Sequence, residues 1–107
     1  FLKKSKISSK IVVSYGAPAK GNTLLNYCNI KSKHIPYTVD KNPYKQNLFL
    51  PGSHIPIKHP REIMRTKPDY LFILPWNLKT EIIEQMSFIR KWGGQFVIPI
   101  PKLQVIN

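Results

Sequence analysis

Between Tyr15 and Thr23 the sequence reads YGAPAKGNT, preceded by the apolar run Ile11-Val12-Val13 and followed by Leu24-Leu25. Small residues between a β-branched run and a helix-like segment are where α/β proteins often receive a phosphate, on the backbone N–H groups of the turn. A P-loop needs G-x-x-x-x-G-K-[ST], with the lysine on the β and γ phosphates and the hydroxyl on magnesium. Gly16 and Gly21 have that spacing, but Asn22 stands where the lysine belongs and Lys20 falls one residue before the second glycine. The dinucleotide fingerprint G-x-G-x-x-G fails too, because Pro18 occupies the position of its middle glycine. What remains is a strand, a turn and a helix start with Lys20 beside it. That arrangement suits a phosphate or carboxylate drawn by the helix dipole, or is an ordinary tight turn in which Gly16 and Ala17 are small for packing.

Other residues could join such a site. Asp40 ends a second apolar run, where nucleotide-binding folds hold a ribose by its hydroxyls; its alternative is to cap the turn at Lys41-Asn42. Trp76 follows a third run, placed either to stack on a base or sugar or to lid the sheet edge. His54, inside PGSHIPI, can donate to a phosphate or act as a base, or can simply stabilise its turn. His34, His54 and His59 lie in loops with no carboxylate or thiol at ligand spacing, so no metal site is expected. Glu81 and Glu84 read as exposed helix charge. No Ser-His-Asp arrangement can be built from the spacing, and no catalytic residue is assigned.

The elements that must position these residues follow from the apolar pattern. Lys10 to Ser14 predicts a buried strand, Ala19 to Tyr27 a helix with Leu24, Leu25 and Cys28 inward, and Tyr37 to Val39 a second strand. The stretch KNPYKQNLFLPGSHIPIKHP is broken by Pro43, Pro51, Pro56 and Pro60 and predicts a long loop, ordered by Tyr44, Phe49, Ile55 and Ile57. Pro60 to Thr66 suits a short helix with Ile63 and Met64 free to pack. Tyr70 to Leu74 reads as a central parallel strand, apolar on both faces. Asn77 can cap a helix in which Ile82, Ile83, Met86, Ile89 and Trp92 recur at three and four residues, stopped by Gly93-Gly94. QFVIPIP is a fourth strand, and Leu103 to Ile106 an edge strand. Alternating strands and helices with crossovers of this length predict a small α/β, Rossmann-like three-layer domain with a mostly parallel sheet of four to five strands.

Composition bounds the partners. The 107 residues suit one domain, and 17 Lys and Arg against 5 Asp and Glu give a formal charge of +12, so an anion is a natural partner unless the lysines merely coat a solvated surface. Arginine is limited to Arg61, Arg65 and Arg90, which disfavours base-reading contacts with nucleic acid. Cys28 stands alone, so no internal disulfide is available and a reducing, cytoplasmic setting is expected. Apolar runs such as Tyr70 to Trp76 fall far short of the ~18 residues needed to span a bilayer. FLKKSKISSK lacks the apolar core of a signal peptide, and residues 1–9 are expected to be the remnant of a preceding helix or linker, with the domain over 10–107.

Four segments, YGAPAKGNTLLNYC, YTVDKNPYKQNLFLPGSHIPI, KPDYLFILPWNLKTEIIEQM and WGGQFVIPIP, together resemble the C-terminal domain of the S-adenosylmethionine-dependent sugar C-methyltransferases, in the family's order and spacing. The resemblance runs from about Lys10 to Ile106. Such enzymes join a small zinc-binding domain, a Rossmann domain holding the methyl donor, and a C-terminal Rossmann-like domain, with a nucleotide-diphosphate sugar between the last two. The resemblance implies a substrate-side domain that binds no cofactor of its own, with S-adenosylmethionine and the catalytic base in a domain that this chain does not match. It further implies Tyr15, Gly16, Ala17, Lys20, Gly21 and Asn22 in the substrate turn, Asp40 and Asn42 in a VD-x-NP segment, His54 in a PG-x-HIP loop and Trp76 in a WN pair. A reading from another class is a basic module that binds anions or nucleic acid without catalysis.

Overall fold

The β-branched residues of Val12–Tyr15 (β1) lie at the middle of a six-stranded sheet, where both faces are covered and continuous apolar sequence is required. The structure, a computed structural model, describes residues 10–28, 30–99 and 103–107, and of residues 19–22 the backbone alone. The expectation for residues 1–9 lies outside the described residues. After β1 come the helix Ala19–Tyr27 (α1), strands Thr38–Val39 (β2) and Ile57–Lys58 (β3), helix Glu62–Thr66 (α2) and strand Tyr70–Ile73 (β4). The chain continues through a 3-10 turn at Trp76–Leu78, helix Lys79–Gln85 (α3), a 3-10 segment Ser87–Trp92 and strands Gln95–Ile98 (β5) and Gln104–Ile106 (β6).

The sheet order is β3-β2-β1-β4-β5-β6, parallel except for β6, which runs antiparallel to β5. Register pairs Ser14 with Thr38 and Tyr15 with Val39 on one side of β1, and Val12 with Tyr70 and Tyr15 with Ile73 on the other. Two cores result from the two-residue period of the strands. Val13, Tyr15, Leu71, Ile73 and Phe96 face Ile82, Met86 and Ile89; Val12, Phe72, Leu74 and Val97 face Leu25, Ile35, Leu50 and Ile55. This is the expected mostly parallel, three-layer α/β domain, with six strands in place of the expected four to five.

Several local expectations are corrected. The long loop contains β3, an element that the prolines hid. Its free side is covered by the chain's own residues 47–50: Ile57 N–H donates to Leu48 O (2.8 Å), Asn47 N–H to Ile57 O (2.8 Å) and Leu50 N–H to Ile55 O (2.8 Å). Ile55 and Ile57 are buried, whereas Tyr44 and Phe49 are exposed and do not order the loop through burial. Cys28 is exposed at the end of α1, not inward, because the helix closes there and its N–H turns back to Leu24 O (3.0 Å). Met64 is exposed while Ile63 alone is buried, since a five-residue helix offers one inward position. Asn77 makes no cap; it lies inside the 3-10 turn, and Leu78 precedes α3 without a side-chain cap. The periodic stretch from Ile82 to Trp92 is two segments, α3 and a 3-10 continuation, and it ends at Gly93 with φ 81°.

Candidate functional site at the carboxyl edge of the sheet

From β1 the chain crosses to β2 on one side, and from β3 it returns to β4 on the other, so β1 and β4 diverge at their carboxyl ends. Such a switch point is where open α/β sheets form a crevice. Here it holds a cleft of about 330 Å³.

The base of the cleft is backbone locked to backbone. Gly16 has φ 96°, and a Cβ there would lie 2.7 Å from Pro75 Cδ, so the turns after β1 and β4 touch only because residue 16 has no side chain. Gly16 N–H donates to Val39 O (2.6 Å), and the buried Thr38 hydroxyl donates to Gly16 O (2.7 Å). Asp40 then joins the turns after β1 and β2: its Oδ2 accepts the Ala17 N–H (2.9 Å) and its Oδ1 the Asn42 N–H (2.9 Å). Asn42 Oδ1 accepts the Tyr44 N–H (3.0 Å), Gln46 Nε2 donates to Asp40 O (2.8 Å), and Lys45 Nζ donates to Ala17 O (3.2 Å). The carboxylate at the end of β2 thus caps its turn and braces its neighbour.

Three walls rise from this base. Tyr15 and Pro18 stand on the first, Lys41 and Lys45 on the second, and Leu78, Glu81, Ile82 and Gln85 on the third. Pro18, in extended conformation, is the residue before α1, so that helix starts at the rim. Burial, and after it the negative charge of Asp40, raises the pKa of Tyr15 above the ordinary 10.0, so the phenol keeps its proton and offers a neutral donor to the cleft. The cleft therefore combines two ammonium groups with two carboxylates, Asp40 at its base and Glu81 on the third wall, and with an amide and a phenol that can read hydroxyls, over apolar Leu78 and Ile82. This mixed polar and apolar lining suits a polar organic molecule better than a bare ion.

The expected residues are only partly gathered. Tyr15, Gly16, Ala17 and Asp40 line the cleft, with Asn42 bonded to Asp40 outside its lining. Lys20, Gly21 and Asn22 belong to the first turn of α1, and their side chains lie outside those described. Trp76 is half-buried and packs on the core shared by Tyr15 and Ile82, without lining the cleft. His54, exposed with φ 58°, belongs to the loop that precedes β3, at the opposite edge of the parallel sheet. Sequence reasoning missed Lys41 and Lys45, for which a loop carries no periodic signal. It also missed the third wall, although Leu78, Glu81, Ile82 and Gln85 fall at three- and four-residue spacing on one helical face.

The turn lacks the dinucleotide fingerprint: Pro18 has no N–H and stands where that fingerprint has its close-approach glycine. Among the described residues, no three His, Cys, Asp or Glu side chains are grouped to hold a metal ion, and no helix is long and apolar enough to cross a membrane.

Residues 1–101 match a family described as C-methyltransferase C-terminal domain. The chain is 41% identical over 98 residues to C-methyltransferase NovU of Streptomyces niveus, which covers 92% of this chain and 23% of that protein. The chain thus spans about a quarter of the length of this curated relative. Among solved structures it resembles UDP-D-quinovosamine 4-dehydrogenase from Vibrio fischeri, with a TM-score of 0.64 and 21% identity over 92% of this chain and 93% of that one. At that identity the likeness is one of fold.

Proposed function

This chain belongs to the C-methyltransferase C-terminal domain family, and on that footing we propose that it is the nucleotide-sugar-binding part of an S-adenosylmethionine-dependent enzyme that methylates a carbon of a deoxysugar. The observation that carries the reading is the cleft itself: Lys41 and Lys45 face Glu81, Gln85 and Tyr15 across the sheet's switch point. Lysines there suit a diphosphate, and the opposite groups suit sugar hydroxyls. At about 330 Å³ the cleft stands at the low end of ligand pockets, roughly 300–1,000 Å³. It accommodates part of a nucleotide sugar, and the remainder lies against the domain that carries the donor.

In this reading the chain binds and orients, and supplies no catalytic group. Asp40 keeps the two turns together, Tyr15 stays protonated and donates, and the lysines hold the charged linkage while the reacting carbon points out of the cleft. S-adenosylmethionine, bound by the partner domain, supplies the methyl group. Lys20 is assigned to the same anion from the start of α1, with Trp76 as an outer contact, while His54, at the opposite edge of the sheet, takes no part. The protein works in the cytoplasm, where nucleotide sugars are made.

The test is an NMR titration of the chain with a thymidine-diphosphate sugar, beside one with a short DNA duplex at two salt concentrations. Saturable shifts at Gly16, Ala17, Lys41 and Lys45 with the sugar nucleotide support the reading. Shifts spread over the lysines with DNA alone, and erased by salt, would replace it with a nonspecific polyanion surface. In a full-length homologue, Lys20→Ala should weaken nucleotide-sugar binding more than methyl-donor binding; equal losses would remove Lys20 from the site.

A further inference from the structure

The loop that carries Lys41 and Lys45 into the first cleft continues through Gln46 and Asn47, which turn to a second one. This cleft, of about 430 Å³, lies beyond the carboxyl end of β3 and is walled by Lys58, His59, Arg61 and Arg65. Its one carboxylate is Glu62. Three permanent cations therefore surround one acid, and that acid is already spent: Arg65 bonds Glu62 Oε2 through Nε (2.8 Å) and a terminal nitrogen (2.7 Å).

Several polar groups at this cleft are braced from behind. Lys58 Nζ lies 5.2 Å from the centre of the Tyr37 ring, and the Tyr37 hydroxyl is bonded to Thr66 Oγ1 (2.5 Å). The Arg61 N–H donates to His59 Nδ1 (3.1 Å), which leaves Nε2 as the nitrogen that carries the proton and faces outward as a donor. Gln46 is fixed through its amide to Asp40 O, and Glu62 orients Arg65. Donors held in place before binding lose little freedom when a ligand arrives. The charges also converge: the hydrogen bond from Arg65 is the largest influence lowering the Glu62 pKa, and the charges of Arg65, Lys58 and Arg61 act on it in the same direction.

We propose that the cleft formed by Lys58, His59, Arg61 and Arg65 is a second anion site, separate from the first, that takes a small phosphoryl group such as a phosphate or pyrophosphate. A nucleic-acid track is disfavoured because the cations ring a concavity around a carboxylate, whereas a polyanion needs a continuous positive run. The guanidinium and imidazole donors suit the several oxygens of one phosphoryl group.

The probe is inorganic pyrophosphate, titrated into the 107-residue chain at constant ionic strength and followed by calorimetry and amide NMR. Saturable shifts are expected at Gln46, Asn47, Lys58 and His59, with their own midpoint, whether or not pyrophosphate also shifts Gly16, Ala17 or Lys41 in the first cleft. The double variant Lys58→Gln, Arg61→Gln should bind roughly tenfold more weakly or worse, the loss expected from charge-assisted hydrogen bonds. A control, Lys33→Gln with Lys91→Gln, removes the same charge from exposed positions elsewhere and should bind as the parent does. Equal losses in the two variants, shifts confined to the first cleft, or shifts that never saturate would overturn the site. Displacement of pyrophosphate from these amides by a DNA duplex, more tightly as the duplex lengthens, would also overturn it in favour of a polyanion track. If the double variant fails to fold, the shift map of the parent chain decides alone. Because the two clefts report through different amides, failure here leaves the nucleotide-sugar reading intact, and the reverse.

Discussion

Asp40 Oδ2 accepts the Ala17 N–H at 2.9 Å, joining the loop after β2 to the turn after β1 across 23 residues of sequence. A carboxylate at the end of the second strand, the place from which related folds reach a ribose, here holds the cleft's own backbone in shape. Its other oxygen holds Asn42 N–H. Asp40→Ala strands both N–H groups and should cost about 1–3 kcal/mol. Asp40→Asn retains one acceptor and should fall between variant and parent in the urea midpoint. An Asp40→Ala midpoint equal to the parent's would show that the clamp holds nothing.

Two glycines separate conformational strain from collision. Gly16 and Gly93 both have positive φ, 96° and 81°, but a Cβ at Gly16 meets Pro75 Cδ at 2.7 Å whereas at Gly93 it meets nothing within 4 Å. Gly93→Ala should cost only the left-handed penalty, about 1–2 kcal/mol. Gly16→Ala should cost more, and should also open the cleft by pushing the two turns apart. Equal shifts in the denaturation midpoint would mean that the Pro75 contact yields freely.

Lys45 donates to Ala17 O and lines the cleft, so its charge is held at the site rather than free in solvent. In a full-length homologue, Lys45→Met keeps the aliphatic stem and should raise the nucleotide-sugar Kd roughly tenfold, with the methyl-donor Kd unchanged. A parallel loss for both ligands would point to damaged folding instead.

Tyr37 and Tyr15 set an alkaline limit. Burial is the largest cause raising both phenols above 10.0; in Tyr37 the Thr66 hydrogen bond opposes it, and in Tyr15 the charge of Asp40 adds to it. A raised folded-state pKa contributes stability that is complete below the unfolded value of 10.0 and is lost as pH rises through the folded value. Tm should therefore hold between about pH 8 and 9.5 and fall above about pH 10. Tyr37→Phe should start about 1 kcal/mol lower through loss of the Thr66 contact, yet fall less steeply in that window. Parallel curves for parent and variant would assign the alkaline loss to other groups.

Ser14 is fully buried in β1, and its hydroxyl has no hydrogen-bond partner among the described residues. Burying an unpaired hydroxyl is unfavourable, so Ser14→Ala should be neutral or stabilise by up to about 1 kcal/mol. A loss of stability in thermal melts would reveal a partner for the hydroxyl.

What the sequence determined by itself was the layered α/β plan, because period and composition act locally. Val12-Val13, Tyr70 to Leu74 and Phe96 to Ile98 are apolar at every position, which only a strand covered on both faces requires, and Leu24-Leu25 and Ile82 through Ile89 carry helical spacing. The first turn was legible for the same reason: Gly16 between a strand and a helix announces a tight reversal. The tertiary structure alone decided the rest. Ile57–Lys58 became a strand because residues 47–50 and β2 supplied partners to a segment whose prolines argued against pairing. Cys28 became exposed although the helix ended where its pattern predicted, because closure at Tyr27 left residue 28 outside the packed face. The cleft depended on where Lys41, Lys45 and Glu81 met, across two crossovers, and the second cleft on Lys58, Arg61 and Arg65 converging around Glu62. Side-chain type is written along the chain, but the electrostatic field of a site belongs to distances that only packing fixes.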